Sequence, residues 1–392
     1  MVLLKIAIKN LFGARLRSFL NIFVTSLSFF IIIFISGMYD GMRQHAKEVT
    51  IQSEVGGGAY WHPKYDPMDP MLFEESHSIV PSKLVSLIEK KKAAAVLVSQ
   101  ATIYPNGRMM SVIMKGISPE QSVVEMPTDM LMGYEELYLP VIIGKAMAKN
   151  AKLKVGDSFT VRWLDNDKTY DANEATVVHV MDTENFKIDV GHIWVPIDKA
   201  REMLSMKNEA TYVVYDQDIA KIKQIENWIH RDVGYLIQDI EAAIEADEPG
   251  NRILFVILLA LAGMGIFNAQ VLSIFKRGRE IGTLMALGMT RQRVIALFTL
   301  EGALNAFFAG AMTLIVFGPI LWWFSVNGIP MPMDYSEMGL IIAKQLVPIY
   351  SFALIAKTTF LIFIIVLIVS YIPSRKISRM NPTDALRGKT IA

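Results

Sequence analysis

The chain contains no cysteine. Any part of it that meets an oxidising compartment therefore folds without disulfides. Histidine is sparse: His45, His62, His77, His179, His192 and His230 lie scattered, without the close spacing of a zinc site. The sequence has no nucleophile elbow and no paired catalytic motif. Gly388-Lys389-Thr390 has the ending of a phosphate-binding loop, but Thr383 stands where the earlier glycine belongs, and no apolar strand leads in. From these absences no catalytic residue, no metal ligand and no nucleotide hydrolysis by this chain is expected. Excess charge is missing too: 39 Lys and Arg stand against 38 Asp and Glu, and no nucleic-acid partner is expected.

What the chain does have is an uneven set of apolar runs. One spans Ser18–Met38, and three more follow in the C-terminal third, at Ile253–Phe275, Val294–Ser325 and Leu346–Ile372. A helix crosses the hydrocarbon core with about 20 apolar residues, so each run reads as a transmembrane span. The first run is too long for the core of a signal peptide, and no small-x-small cleavage site follows it, so it reads as a retained anchor. Pro319 is expected to end or kink the long third run near its outer end.

Charge assigns the sides. Lys5, Lys9, Arg15 and Arg17 precede the first span. Lys276, Arg277, Arg279, Arg291 and Arg293 separate the second from the third, and Arg375, Lys376, Arg379, Arg387 and Lys389 follow the fourth. Glu280 and Asp384 are the carboxylates in those segments. Lys and Arg collect on the cytoplasmic side of spans, so both termini are expected there. The long segment between the first two spans, rich in Asp and Glu, is expected outside.

The resulting layout is a four-helix membrane protein with a large external α+β domain between the first and second spans. Its divisions are an elbow helix at 1–17, spans at 18–38, 253–275, 294–325 and 346–372, and the external domain at 39–250. A cytosolic helix at 276–293, an external loop at 326–345 and a cytosolic tail at 373–392 complete it. Leu4, Ala7, Ile8 and Leu11 share one face of the first element, which is either an interfacial helix or a plain basic flank. In the external domain, strands are expected at Ala95–Tyr104, Met110–Lys115, Ser158–Trp163, Ala175–Val180, Ile193–Pro196 and Thr211–Tyr215. Turns are expected at Pro105-Asn106-Gly107 and Asp165–Lys168. Helices are expected at Pro81–Lys92, Gly144–Lys152, Asp198–Ser205 and Ile219–Arg231. The acidic hairpin tip at Leu164–Asn173 is either a solvated turn or a docking edge.

The segment Phe275–Arg293 is the most specific. It reads as a short helix with apolar Ile281, Leu284, Met285 and Leu287, charges at both ends, and Gly288 at its close. Glu280 at the front and Arg291 and Arg293 behind it suit the helix dipole. A half-apolar helix of this kind docks into a groove of another protein; a plain connector would need no such stripe.

Arg279-Glu280-Ile281-Gly282, Ala286-Leu287-Gly288, the basic pair Arg291/Arg293 and Glu301-Gly302 resemble the coupling segment of ABC-transporter permeases of the MacB, LolC/LolE and FtsX superfamily. Other stretches are similar to the same family: Ile6–Ser18, Ile142–Ala148 with Leu153–Asp157, and Asn381–Arg387. Length and external domain fit the LolC/LolE branch best. The resemblance implies an external domain with a porter-like lobe and a second lobe. It implies a permease subunit that works with a second permease, identical or paralogous, and with a separate ATPase dimer that binds ATP and Mg. The implied activity is extraction of lipoproteins from the bacterial inner membrane and delivery to a soluble periplasmic carrier. The coupling residues would be Arg279, Glu280, Ile281, Gly282, Leu284, Leu287 and Gly288.

The same resemblance places acyl chains between the first two spans. Phe23, Phe29, Phe30, Ile33 and Phe34 of the first, and Phe255, Leu258, Leu261 and Met264 of the second, are the expected lining; lipid contact or helix packing is the alternative for each. Ala260–Gly265 is a small-residue patch suited to close helix approach. Glu301 is the intramembrane charge, expected to pair with a cytosolic-side Arg or to tune coupling, while Lys357 is expected to snorkel. A small-molecule exporter of the MacB kind and an FtsX-like signalling subunit that regulates cell-wall enzymes are the alternative functions.

Overall fold

The computed structural model describes residues 2–13, 15–134, 136–219, 225, 227–331 and 345–377. Two compact units emerge. One comprises residues 1–43, 245–330 and 345–392, and the other residues 44–244 with 331–344.

The first unit is helical. Its elements are α1 (Val2–Gly13), α2 (Arg15–Thr50), α3 (Gln238–Lys276), α4 (Gly278–Ala286), α5 (Arg291–Met312), α6 (Gly318–Asn327) and α7 (Phe352–Ile377). Among the described residues four helical stretches are long and apolar enough to cross a membrane: Ser18–Val55, Gln238–Ser273, Arg291–Asn327 and Phe352–Lys376. The protein is thus a multi-pass membrane protein with a large β-containing region between its first and second spans. The helices outrun the apolar runs. Backbone bonding continues through good helix formers such as Gln44, Ala46, Lys47 and Glu48, whereas an apolar count stops where polarity begins.

Pro319 does not end the third span. A π-helical turn at Thr313–Phe317 precedes it, and Pro319 falls in the first turn of α6. There its missing N–H costs no hydrogen bond. The face expected on α1 divides. Ala7 and Leu11 are buried, while Leu4 and Ile8 are exposed. Ala306 and Ala309 of α5, Ile362 and Val366 of α7, and Leu259 and Ile266 of α3 pack around Phe29 and Ile32 of α2. Before α7, the chain lies against α2 itself. The Ile349 N–H donates to the Gly37 carbonyl oxygen at 2.9 Å. A side chain at Gly41 would collide with the Val347 carbonyl, so this close approach requires glycine.

The second unit is built on one nine-stranded sheet. Its strands are β1 (Ala59–Trp61), β2 (Ala93–Tyr104), β3 (Met110–Ile117), β4 (Leu139–Gly144), β5 (Ser158–Leu164), β6 (Tyr170–Met181), β7 (His192–Pro196), β8 (Tyr212–Tyr215) and β9 (Ile229–Arg231). The order is β9-β1-β8-β2-β3-β7-β4-β6-β5, and β5 pairs again with β2, Ala101 opposite Trp163 through Tyr104 opposite Thr160. Six strands therefore close into a ring, and β8, β1 and β9 extend from it. Leu97, Ile103, Val141, Val161, Trp163, Val177 and Ile193 fill one core. Strand alternation sends Val96, Val98, Tyr212 and Val214 to a second core on the opposite face.

The expected turns are present: Asn106 and Gly107 adopt positive φ, as does Lys168 at the hairpin tip. Helices occupy Ser82–Glu89, Lys145–Ala151 and Ile197–Met203. The helix expected at Ile219–Arg231 is absent from its described part. Ile229–Arg231 instead pairs antiparallel with Ala59–Trp61, because β1 has an open edge to satisfy. Residues 378–392, with the tail motif and Gly388–Thr390, lie outside the described residues.

Candidate functional site

Helix α4 ends by local chemistry. Gly288 takes φ +94; the Gly288 N–H donates to the Met285 carbonyl oxygen at 3.1 Å, and the Met289 N–H to that of Leu284 at 3.0 Å. This pair of bonds is the glycine-terminated stop that satisfies orphan helix carbonyls. It turns the chain straight into α5. Ile281 then packs with Val294 and Phe298 of α5, all buried, with Met285 and Met289 against them.

That packing divides the residues grouped by sequence. Ile281 and Gly282 are buried, Leu284 is half-buried, and Leu287, 80% exposed, points away from the bundle. Arg279, Thr283 and Ala286 share its exposure. The free face of α4 is thus Arg279–Thr283–Ala286/Leu287, one helical stripe. The apolar residues at Ile281 and Met285 fasten the helix from behind.

Polar contacts lock the front of α4. The Arg277 guanidinium donates to both oxygens of Glu280 at 2.6 Å and bonds Glu301 of α5 through Nη1 and Nη2. Its plane lies 4.7 Å from the Phe298 ring centroid. Asn10 of α1 donates to the Glu301 carboxylate at 2.7 Å. Glu301 is 9% exposed, so its charge is desolvated and held by a two-nitrogen fork plus an amide. Three elements meet on one carboxylate. The cytosolic-side Arg that meets Glu301 is Arg277, which the sequence presented only as one of several flanking cations; the Arg-x-x-Glu spacing signalled its other contact, with Glu280.

The expected cavity residues disperse. Phe29 and Ile33 are buried in the bundle. Phe30 stacks on Phe317 at 4.7 Å, Phe34 tilts against Phe324 at 5.3 Å, and Phe23 approaches Phe317 at 6.5 Å. These three rings face the third span rather than the second. Leu261 and Met264 are 61% and 66% exposed. Phe255 and Leu258 do line a cavity, of about 740 Å³, with Leu354 and Leu361 of α7. Its rim carries Tyr39, Asp40 and Arg43 of α2, Glu248 and Arg252 of α3, and Lys357 of α7. Arg252 and Glu248 pair at 2.9 Å. The expected domain division placed Tyr39, Asp40, Arg43 and Glu248 in the external domain, which is why this rim was not anticipated. Met264 borders a separate groove of about 530 Å³ between α3 and α7, opened by Ala260 and Gly263. Among the described residues no cluster of His, Asp and Glu has the geometry of a metal site.

Residues 252–382 match the model of the FtsX-like permease C-terminal domain. Over 340 residues the chain is 26% identical to the lipoprotein-releasing system transmembrane protein LolC of Neisseria meningitidis serogroup B, covering 78% of this chain and 80% of that one. A macrolide export ATP-binding/permease protein, MacB, of Rhodopirellula baltica is 31% identical over 136 residues, 33% of this chain and 16% of that protein. An uncharacterized ABC transporter permease of Methanocaldococcus jannaschii is 25% identical over 268 residues, 63% and 62% of the two chains.

Proposed function

The chain is an ABC-transporter permease of the MacB/FtsX superfamily, and from that premise we propose that it lifts acylated proteins out of the bacterial inner membrane under the drive of a separate ATPase. The ATPase docks on the free Arg279–Thr283–Leu287 stripe, binding ATP and Mg itself. A second permease, identical or paralogous, completes the membrane part. Both termini face the cytosol, and the cargo leaves on a soluble periplasmic carrier.

The observation that carries this reading is the pairing of an exposed stripe with a rigid mount. Ile281 and the Arg277–Glu301 fork fix α4 to α1 and α5, so a push on α4 moves spans rather than bending a loop. Near lipid, extraction needs no catalytic side chain. Each buried CH₂ contributes about 0.8 kcal/mol of anchoring, and an apolar cavity offers the chain an alternative surface. The 740 Å³ cavity, with apolar Phe255, Leu258, Leu354 and Leu361 beneath a charged rim, is suited to acyl chains below and polar head atoms above. The LolC similarity, along most of both chains, favours lipoprotein as the cargo class.

The test is photo-crosslinking from Leu258 and Leu354 in membranes that also hold the ATPase. Lipoprotein should be captured before ATP is added and released after turnover with carrier present. Capture of bulk phospholipid alone, with lipoproteins still correctly sorted when the chain is depleted, would overturn the reading in favour of export or signalling.

A further inference from the structure

A second cavity, of about 550 Å³, lies wholly within the β-containing unit, on the sheet face opposite the ring core. Cavities of this size hold small organic ligands. Its walls are aromatic: Trp61, Tyr65, Phe73, Tyr212 and Tyr235. The rings brace one another, Tyr65 stacking on Tyr212 at 5.5 Å and Trp61 meeting Tyr65 edge-on at 5.0 Å.

The floor is polar and already neutralised. Lys115, its side chain 5% exposed, pairs with Glu54 at 3.0 Å, and its ammonium lies 5.0 Å from the Trp194 ring centroid. Near the mouth Lys187 pairs with Asp239. His192 donates from Nδ1 to the Val190 carbonyl oxygen at 2.9 Å. Burial, with the Lys115 charge beside it, lowers the His192 pKa to about 4. The ring is therefore neutral, and Nε2 carries a free lone pair. Tyr212, 6% exposed, and Tyr65 both line this cavity, and each phenol O–H is a hydrogen-bond donor.

We propose that this cavity binds an amphiphile with an apolar body and an uncharged hydroxyl or amide head. The body lies against the aromatic walls. The head donates to His192 Nε2 and accepts from Tyr212. On the floor a charged head finds no free counter-ion, because the buried Lys115 is already matched by Glu54; the Asp66 carboxylate of the lining is exposed to solvent, and an unmatched buried charge is costly. The pocket binds its ligand irrespective of what the spans carry.

Three probes that share one diazirine-bearing decyl chain and differ only in the head test this: the alcohol, the carboxylate and the amine. They are applied to the full chain in lipid nanodiscs, and labelled peptides are mapped by mass spectrometry. The alcohol should label peptides containing Trp61–Phe73 or Tyr212–Val214, and the two charged probes at least tenfold less. Tyr212→Phe, which keeps the ring, should cut alcohol labelling there several-fold, and Ile113→Trp, which fills the cavity, should abolish it. Labelling of the spans, read in the same digest, should stay unchanged. Labelling confined to the spans would overturn the proposal. So would equal labelling by all three heads, or an unaltered pocket signal in Tyr212→Phe.

Discussion

Arg277 and Glu301, 24 positions apart, are joined by two guanidinium nitrogens, and that one contact ties the mount of α4 to the third span. Removing one partner leaves the other charge buried and unmatched. Arg277→Met or Glu301→Ala should each destabilise the chain by about 3–5 kcal/mol, whereas an apolar replacement of both should cost far less than the sum. Thermal unfolding of the four members of that double-mutant cycle in one detergent measures the coupling. Equal, additive losses would mean the two side chains do not act as a pair.

Exposed and buried residues of α4 should separate by phenotype. Arg279→Glu and Leu287→Asp lie on the free stripe and should leave folding intact while abolishing co-purification of the ATPase. Ile281→Asp puts a charge among Val294 and Phe298 and should lower the melting temperature before any partner is added. Pull-down and unfolding curves on the same three variants check the distinction.

The cysteine-free sequence makes orientation directly measurable. Single cysteines at Asn106 or Asp167 should react with an impermeant thiol reagent on sealed cells, and one at Thr290 should not. Reaction at Thr290 with protection at Asp167 would reverse the charge-based assignment.

Acid should loosen the β-containing unit. His192 has its pKa lowered to about 4 in the folded state by burial and by the Lys115 charge, against an ordinary value near 6.5. Between those values the unfolded chain binds the extra proton, so stability is full above about pH 6.5 and declines as pH falls toward 4. The loss is on the order of 3 kcal/mol at the low end. His192→Gln should flatten that part of the stability curve. An unchanged slope between pH 7 and pH 5 would assign the acid response elsewhere.

Much of this architecture was legible because it rests on local rules. The spans follow from apolar run length, and Asn106-Gly107 and the hairpin at Asp165–Lys168 from turn chemistry. The stop at Gly288 likewise stands in the sequence as a glycine after a helical run. What stayed hidden depends on partners distant in the chain. Leu139–Gly144, buried along its whole length, has no alternation to announce a strand. Ile229–Arg231 is a strand only because Ala59–Trp61 offers it an edge. Phe30 and Phe34 are apolar whichever span they meet, so composition could not say that they face Phe317 and Phe324. For Glu301 a cytosolic-side Arg was the expectation, but neither the choice of Arg277 nor the approach of Asn10 is marked in the sequence, and nothing in the separation of Glu54 and Lys115 announces their contact.

Two of those distant contacts bear on how the protein is made. Asn10 reaches Glu301 across 291 positions, and the Ser26 hydroxyl reaches Thr313 across 287. At about 5–20 residues per second of synthesis, their partners emerge roughly 15–60 seconds later. Residues 44–244 of the β-containing unit are synthesised within that interval. Asn10 of α1 and Ser26 of the first span therefore wait without these partners until the third span arrives. Slowed translation within residues 56–300 lengthens that wait without altering any contact in the finished molecule.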